Sequence, residues 1–311
     1  MPTVAIVGSG LIGRSWAIVF ARGGWDVRLS DPSPEALENA PRLIREGLDE
    51  LASYNIVDNA AEAAARVSAA GSLAEAVEGV DLVQENGPER VEDKRRIFSE
   101  LDAAAPRDAI LASSTSAIVA SKFTEDLPGR ERCLVAHPVN PPHLVPIVEL
   151  CGAPWTSPNV IARAGKIYES VDQVPITVTR EIEGFVLNRL QVALLSEAFR
   201  LVGDGVVSPQ DLDKTLSDGL GLRWSFMGPF QTIELNAPGG IPDYCARYGD
   251  FFRRTAADPP TPAVWDQANI ERVMQAWGRS PAKEEVARRT AWRDKRLTAL
   301  MAHKRAQPDS E

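Results

Sequence analysis

The chain has 311 residues, 44% hydrophobic and 25% charged, which is enough for two domains and a sizeable buried core. A formal net charge of −9 offers no basic footprint for nucleic acid. Cys133, Cys151 and Cys245 form no C-x-x-C pair, the N-terminus lacks a secretory pattern, and no run of 18 apolar residues occurs. A disulfide framework, a membrane span and a nucleic-acid partner are therefore not expected, and no metal site is; a soluble cytoplasmic protein is.

Thr3 to Val7 (TVAIV) reads as a buried strand, followed at once by GSGLIG over Gly8 to Gly13. A helical pattern then runs through Ile12, Trp16, Val19 and Phe20, and a second strand from Val27 to Ser30 ends at Asp31. Each glycine answers a separate need: Gly8 the tight turn, Gly10 the approach of backbone to a pyrophosphate, Gly13 the close packing of helix on strand. Leu11 and Ile12 open the helix, where free amides and the positive dipole end meet phosphate. Asp31 follows Gly13 by eighteen residues. A carboxylate there accepts hydrogen bonds from ribose hydroxyls and repels a 2′-phosphate, so NAD is predicted over NADP. Alone, the motif would be a weak signal; its βαβ setting makes an empty glycine turn the poorer reading.

A helical segment follows from about Pro34 to Tyr54, and then a short alanine-rich piece to Ala65. Further apolar runs come at Val80 to Val83, Ala109 to Ala112, Cys133 to Ala136, Val145 to Leu150 and Val174 to Val178, mostly with helical patterns between them. Such alternation predicts a mainly parallel, doubly wound sheet. From Glu183 the strands stop, and 183–204, 209–219, 270–277 and 283–305 read as helices. The expected fold is α/β: a Rossmann-type NAD-binding domain over 1–182, then an all-α domain over 183–311. Asp258 to Pro262 (DPPTP) reads as a loop, and the terminal QPDSE as a frayed end.

Catalysis centres on Ala136 to Leu150, AHPVNPPHLVPIVEL. His137 ends an apolar strand in the region where a doubly wound sheet delivers residues to its cleft. Glu149 lies in the apolar run IVEL, where a carboxylate is costly to bury unless paired. Two strand ends joined by a proline-rich loop could make the pair: imidazole takes an alcohol proton, carboxylate orients the ring, and NAD accepts the hydride. A glutamate that caps a loop amide is an equally open alternative. His143 reads as structural or solvent-facing, and His303 as exposed.

GSGLIGRSW, its spacing to Asp31, SSTSAI, AHPVNPP, VEL and EGFVLNRL together resemble the 3-hydroxyacyl-CoA dehydrogenase superfamily. The resemblance covers nearly the whole chain, with SEAFRLV, VSPQDLD, GLGLRW and YCARY discriminating and the last forty residues less distinct. It implies that Ser116 touches the substrate hydroxyl and the nicotinamide, and that Asn188 helps hold the substrate oxygen near the base. It further implies that Glu89 and Lys94, in PERVEDK, contact the cofactor, and that a helical domain mediates homodimerisation and closes the cleft. The residues alone also allow Ser116 as a strand-end cap, Asn188 as a polar residue in a helix core, and Glu89 with Lys94 as a solvated pair.

The dyad does not choose between a 3-hydroxyacyl-CoA and a free 3-hydroxy acid. Residues 34–66 hold seven acids, three arginines (Arg42, Arg45, Arg66) and no lysine, a poor dock for the phosphates of coenzyme A. Arg223, in GLGLRWSF, could fork onto a substrate carboxylate, or equally form a structural salt bridge or meet a second subunit. Trp224, Phe226 and Phe230 read as core or interface packing. With the resemblance, the expected reaction is NAD-dependent oxidation at C3 of a small hydroxy acid, and what the resemblance implies as substrate is L-gulonate, giving 3-dehydro-L-gulonate. Oxidation of 3-hydroxybutyryl-CoA or of carnitine, whose cation wants an aromatic cage, is the alternative. A non-catalytic NAD-binding structural protein is the rival of another class.

Overall fold

The computed structural model describes residues 1–307; of the frayed end expected over QPDSE, all but Gln307 lies outside them. The chain begins with β1 (Thr3–Val7), α1 (Leu11–Arg22), β2 (Asp26–Ser30), α2 (Pro34–Ser53), α3 (Ala60–Ala65), β3 (Val67–Ala69), α4 (Leu73–Val77) and β4 (Leu82–Glu85). It continues through α5 (Val91–Ala104), β5 (Ile110–Ser113), α6 (Ser121–Thr124), β6 (Cys133–Pro138), β7 (Ile147–Gly152), α7 (Pro158–Glu169) and β8 (Val174–Val178). The strands form one sheet in the order β3-β2-β1-β4-β5-β6-β7-β8.

The first six strands run parallel, β7 is antiparallel to β6, and β8 is parallel to β7. β1, β4, β5 and β6 are buried along their whole length, as strands covered on both faces must be. The reversal at β7 has a simple cause. Only eight residues separate Pro138 from Ile147, too few for the crossover that a parallel neighbour requires. The order reverses between β1 and β4, which places the crevice of a doubly wound sheet beside the end of β1.

Helix α1 buries Trp16, Val19 and Phe20 under this sheet, with the Trp16 ring 5.4 Å from Tyr168. It stops at Gly23 and Gly24, the latter at φ 83°. Helix α2 starts where Ser33 accepts the Ala36 amide at 3.3 Å and Pro34 takes the first turn. β3 is the one strand the sequence does not predict. Its VSA has no apolar run and is strand only because it pairs with β2 at the sheet edge.

Among the described residues no strand follows β8. The helices are α8 (Leu187–Gly203), α9 (Pro209–Lys214), a π-helix at Thr215–Leu220, α10 (Gly221–Trp224), α11 (Pro229–Glu234), α12 (Gly240–Ala256), α13 (Gln267–Trp277) and α14 (Lys283–Arg305). α8 starts four residues later than the predicted Glu183, because Gly184 and Phe185 take left-handed φ of 75° and 48° and cannot be helical. α12 is unpredicted: Gly239, Gly240 and Pro242 look like a turn, but a proline is tolerated in a first helical turn.

Two compact units result, one from Met1–Asn188 with the chain from Arg289, the other Arg189–Arg288. The expected boundary after residue 182 marks the change from strands to helices, six residues before the first break between these units. α14 returns to the first unit because it carries apolar anchors there: Met301 joins the core cluster that holds Trp16 and Phe20. Arg305 adds an ion pair to Asp172 at 2.8 Å. Trp224, Phe226 and Phe230 are 42, 69 and 73% exposed, so the core alternative for them does not hold. No helix among the described residues is long and apolar enough to cross a membrane.

Candidate active site

The glycine loop shows three distinct reasons for its glycines. Gly8 has φ 92°, and a Cβ on it would lie 2.8 Å from the Asn86 carbonyl oxygen. A Cβ on Gly13 would lie 1.8 Å from the Gly8 oxygen, so only glycine lets α1 sit this close to β1. At Gly10 a Cβ would meet nothing within 4 Å. α1 has neither a side-chain cap nor an acid in its first turn, so the amides around Leu11 and Ile12 face that open space uncommitted. Asp31 stands beside the loop: its Oδ2 accepts the Ser9 amide (2.6 Å) and hydroxyl (2.9 Å), and its Oδ1 the Ser33 amide (2.8 Å). These features fit a dinucleotide, with phosphates at the amides and a ribose at the carboxylate.

Lys94 is 1% exposed, so the solvated-pair reading fails for it. Its Nζ lies 3.0 and 2.9 Å from the two oxygens of Glu85, a fully buried residue at the end of β4, and 3.9 Å from Glu89. Glu89 Oε1 accepts the Thr115 hydroxyl (2.5 Å) and the amides of Ser116 (2.8 Å) and Ala117 (3.1 Å). Ser116 itself is exposed at the turn after β5, and its hydroxyl has no protein partner among the described residues. Local capping falls instead to Thr115, whose hydroxyl accepts the Ile118 amide at 3.0 Å.

His137 and Glu149 are register partners across β6 and β7, with Nδ1 2.8 Å from Oε2. The other oxygen, Oε1, accepts the amides of Val186 (2.9 Å) and Leu187 (3.0 Å) at the start of α8. Glu149 thus both pairs with the histidine and caps amides; the two alternatives coexist. Burial raises the Glu149 carboxyl, but the hydrogen bonds from His137, Leu187 and Val186 outweigh it and hold the group below its ordinary value. With that carboxylate charged, Nδ1 carries the imidazole proton and Nε2 is left with the free lone pair. Phe185, fully buried, stacks its ring 5.5 Å from His137. Asn188, in the first turn of α8, donates Nδ2 to the Ser116 carbonyl at 2.8 Å, so it bridges to the turn after β5 instead of filling a helix core.

His143 is partly buried, and burial, then Arg22, pushes it down to about 4, so it is a neutral structural group. His303 is exposed. Cys133 and Cys151 are pushed up to about 12 by burial, which removes them as nucleophiles. Arg223 lies in the other unit, exposed in α10 directly after the π-helix, and makes no ion pair among the described residues. No group of three or more metal-ligating side chains occurs among the described residues.

Residues 3–182 match the family model for the 3-hydroxyacyl-CoA dehydrogenase NAD-binding domain, and residues 184–280 that for the C-terminal domain of the same family. The chain belongs to the 3-hydroxyacyl-CoA dehydrogenase family. It is 43% identical over 307 residues to lambda-crystallin of Oryctolagus cuniculus, covering 97% of this chain and 96% of that one. It is 34% identical over 300 residues to L-carnitine dehydrogenase of a Pseudomonas species, covering 96% and 92%. The solved structure of 5-formyl-3-hydroxy-2-methylpyridine 4-carboxylic acid 5-dehydrogenase, an NAD+-dependent dismutase, superposes with a TM-score of 0.84 at 28% identity, over 99% of this chain and all of that one.

This family member is an NAD-dependent dehydrogenase that acts on a hydroxyl group. Sequence reasoning missed Glu85, although its signal is the one that exposed Glu149: an acid in an apolar strand, LVQE, needs a partner. It also missed a polar chain that joins α1, β4 and α7 through the turn after β5. Trp16 Nε1 and Gln84 Nε2 both donate to Ser114 Oγ (3.0 and 2.7 Å), Ser114 donates to Asn86 (2.7 Å), and Tyr168 donates to Gln84. No local spacing links these residues, which meet only through the sheet.

Proposed function

We propose that this dehydrogenase oxidises the C3 hydroxyl of a small hydroxy acid, L-gulonate to 3-dehydro-L-gulonate. The observation that carries the chemistry is the His137–Glu149 pair at 2.8 Å, with the carboxylate held anionic by two further amides. His137 Nε2 takes the hydroxyl proton, Glu149 stabilises the imidazolium, and Ser116 and Asn188 hold the substrate oxygen. Bound NAD supplies the hydride acceptor. For its part, the chain offers the amides of Gly10, Leu11, Ile12 and Gly13 for the pyrophosphate, while the Gly8 amide donates to the Ser30 carbonyl and shapes the turn. Asp31 takes one ribose, and Glu89 flanks the other end of the cofactor; Lys94, 1% exposed, supports Glu89 from beneath and, against expectation, does not itself reach the cofactor.

The choice of a free acid over a CoA ester is supported by the arginines near α2. Arg42 pairs with Glu46 (2.6 Å), Arg45 with Asp49 (2.9 Å), and Arg66 with Glu62 (3.2 Å) and Asp26 (3.7 Å). All three cations are already matched by acids, which leaves little field to attract phosphates. Arg223, free of any such partner among the described residues, is the candidate fork for the substrate carboxylate. A homodimer through the helical unit fits the exposed apolar side chains there, and three free cysteines suit a cytoplasmic setting.

The test is NADH formation with L-gulonate, L-3-hydroxybutyrate, L-carnitine and 3-hydroxybutyryl-CoA side by side, with NAD and then NADP. Gulonate with NAD is expected to give the highest kcat/KM. A preference for the CoA ester or for carnitine would overturn the substrate and redirect the search for its anchor away from Arg223.

A further inference from the structure

A carboxylate offers about four acceptor positions. At Glu85 all are used: Lys94 Nζ reaches both oxygens (3.0 and 2.9 Å), the Gly87 amide reaches Oε1 (2.6 Å) and the Ser113 hydroxyl reaches Oε2 (2.6 Å). The side chain is 0% exposed, which leaves it no surface for substrate or cofactor. A buried ion pair is weak as a source of stability, because desolvation offsets most of the attraction. What this one fixes is geometry.

Two routes lead from Glu85 to the turn that follows β5. In one, the Ser113 hydroxyl that donates to Glu85 accepts the Thr115 amide at 3.3 Å. In the other, the Lys94 ammonium lies 3.9 Å from Glu89 Oε2, and Oε1 of Glu89 holds Thr115, Ser116 and Ala117. The turn is tied in turn to Asn188 through the Ser116 carbonyl, and Asn188 follows the Leu187 amide that sits on Glu149.

We infer that Glu85 is a positioning residue, which through Ser113 and through Lys94 and Glu89 holds the turn that presents the Ser116 hydroxyl. The inference rests on the role proposed above for Ser116. Neutralising Glu85 leaves Lys94 with Glu89 as its nearest carboxylate, and Glu89 is drawn off the turn amides toward the ammonium.

Amide hydrogen exchange on the full chain, with Glu85→Gln against the parent, reads this directly. Ser116 and Ala117 are expected to exchange about tenfold faster or more while Val19 and Phe20 in α1 stay unchanged. Unchanged exchange at the turn overturns the inference whatever the activity. Should Glu85→Gln loosen the α1 amides as well, Glu85→Asp, which keeps the charge but shortens the reach, must still show the selective rise. A uniform rise in both variants reduces Glu85 to a stability residue and sinks the idea. With L-gulonate and NAD, Glu85→Gln is expected to lower kcat about tenfold in the parent but less than about twofold in a Ser116→Ala background. Equal losses in the two backgrounds overturn the link to Ser116. Parent-like turnover by Ser116→Ala alone removes the role proposed for that serine, and the exchange data still decide what Glu85 does.

Discussion

The two compact units treat their side chains in opposite ways. In the first, polar groups are buried and partnered: Glu85, Lys94, His137 and Glu149 are all at or below 5% exposure, each with a hydrogen-bonded opposite. In the second, apolar groups are exposed: among the described residues, sixteen of the 22 exposed large apolar side chains lie between Leu190 and Val286. The largest fully buried side chains, from Trp16 and Tyr168 to Phe185, all belong to the first unit. A domain that spends its interior on polar pairs while it already has an aromatic core is organised around chemistry. A helical unit that leaves its aromatics in water carries the kind of apolar face that marks a binding surface.

The sharpest way to break this comparison is to remove the base. Replacing His137 by Gln keeps the β6–β7 register and a group near Glu149, but it removes the nitrogen lone pair. The expected loss is roughly 10²–10⁴ in kcat with NADH affinity unchanged, because general-base catalysis supplies about that factor. Stopped-flow turnover beside NADH fluorescence titration separates the two readouts. Near-normal turnover would mean that the buried polar pair serves the fold, and the contrast between units would lose its functional content.

How much of this was legible before the structure depends on where each signal lives. The strand, glycine loop, helix and Asp31 at the start of the chain are readable because motif and periodicity coincide over a short span. The His137–Glu149 pair is readable because an acid in an apolar run demands a partner, and a twelve-residue separation brings two antiparallel strands back into register. β3 is not readable, since its pairing with β2 decides it and its own residues do not. The start of α8 is not readable either. Phe185 takes a left-handed φ that local preference disfavours, and full burial of its ring against His137 offsets the strain. The link from Asn188 to Ser116 spans 72 residues and exists only once the sheet has formed. A boundary after residue 182 is readable from element type; the return of α14 to the first unit is not, because anchors such as Met301 meet their partners only in the fold.

A smaller effect tests the first unit through acid. His143 has a folded value of about 4, below its ordinary value, because burial and Arg22 disfavour the charged ring. The group therefore contributes stability in full above its unfolded value, and that contribution is lost as pH falls through the window from about 6.5 to 4. Thermal unfolding followed across that window should show a loss of about 1–3 kcal/mol, and His143→Gln should flatten that limb of the profile. An identical acid limb in the variant would place the sensitivity elsewhere, with the paired carboxylates as the remaining source.

The smallest expected effect on the folded monomer is also the most informative about the second unit. Phe226 and Phe230 are 69 and 73% exposed, and neither belongs to either core cluster. Changing both to Ser should move the unfolding free energy of a dilute, monomeric sample by no more than about 0.5 kcal/mol, the range for exposed positions outside special contacts. If these side chains are covered by a second copy of the chain, the same change should appear strongly as protein concentration rises. Each aromatic ring removed from an interface costs transfer free energy and a packed partner, so the dissociation constant of the dimer should weaken by about tenfold or more. Analytical ultracentrifugation over a concentration series measures it. A variant that loses monomer stability instead would show that these rings do pack within their own chain, and the contrast drawn between the two units would fail at its apolar end. A variant unchanged in both respects would leave the exposed face without a protein partner and move the search for its occupant to a ligand.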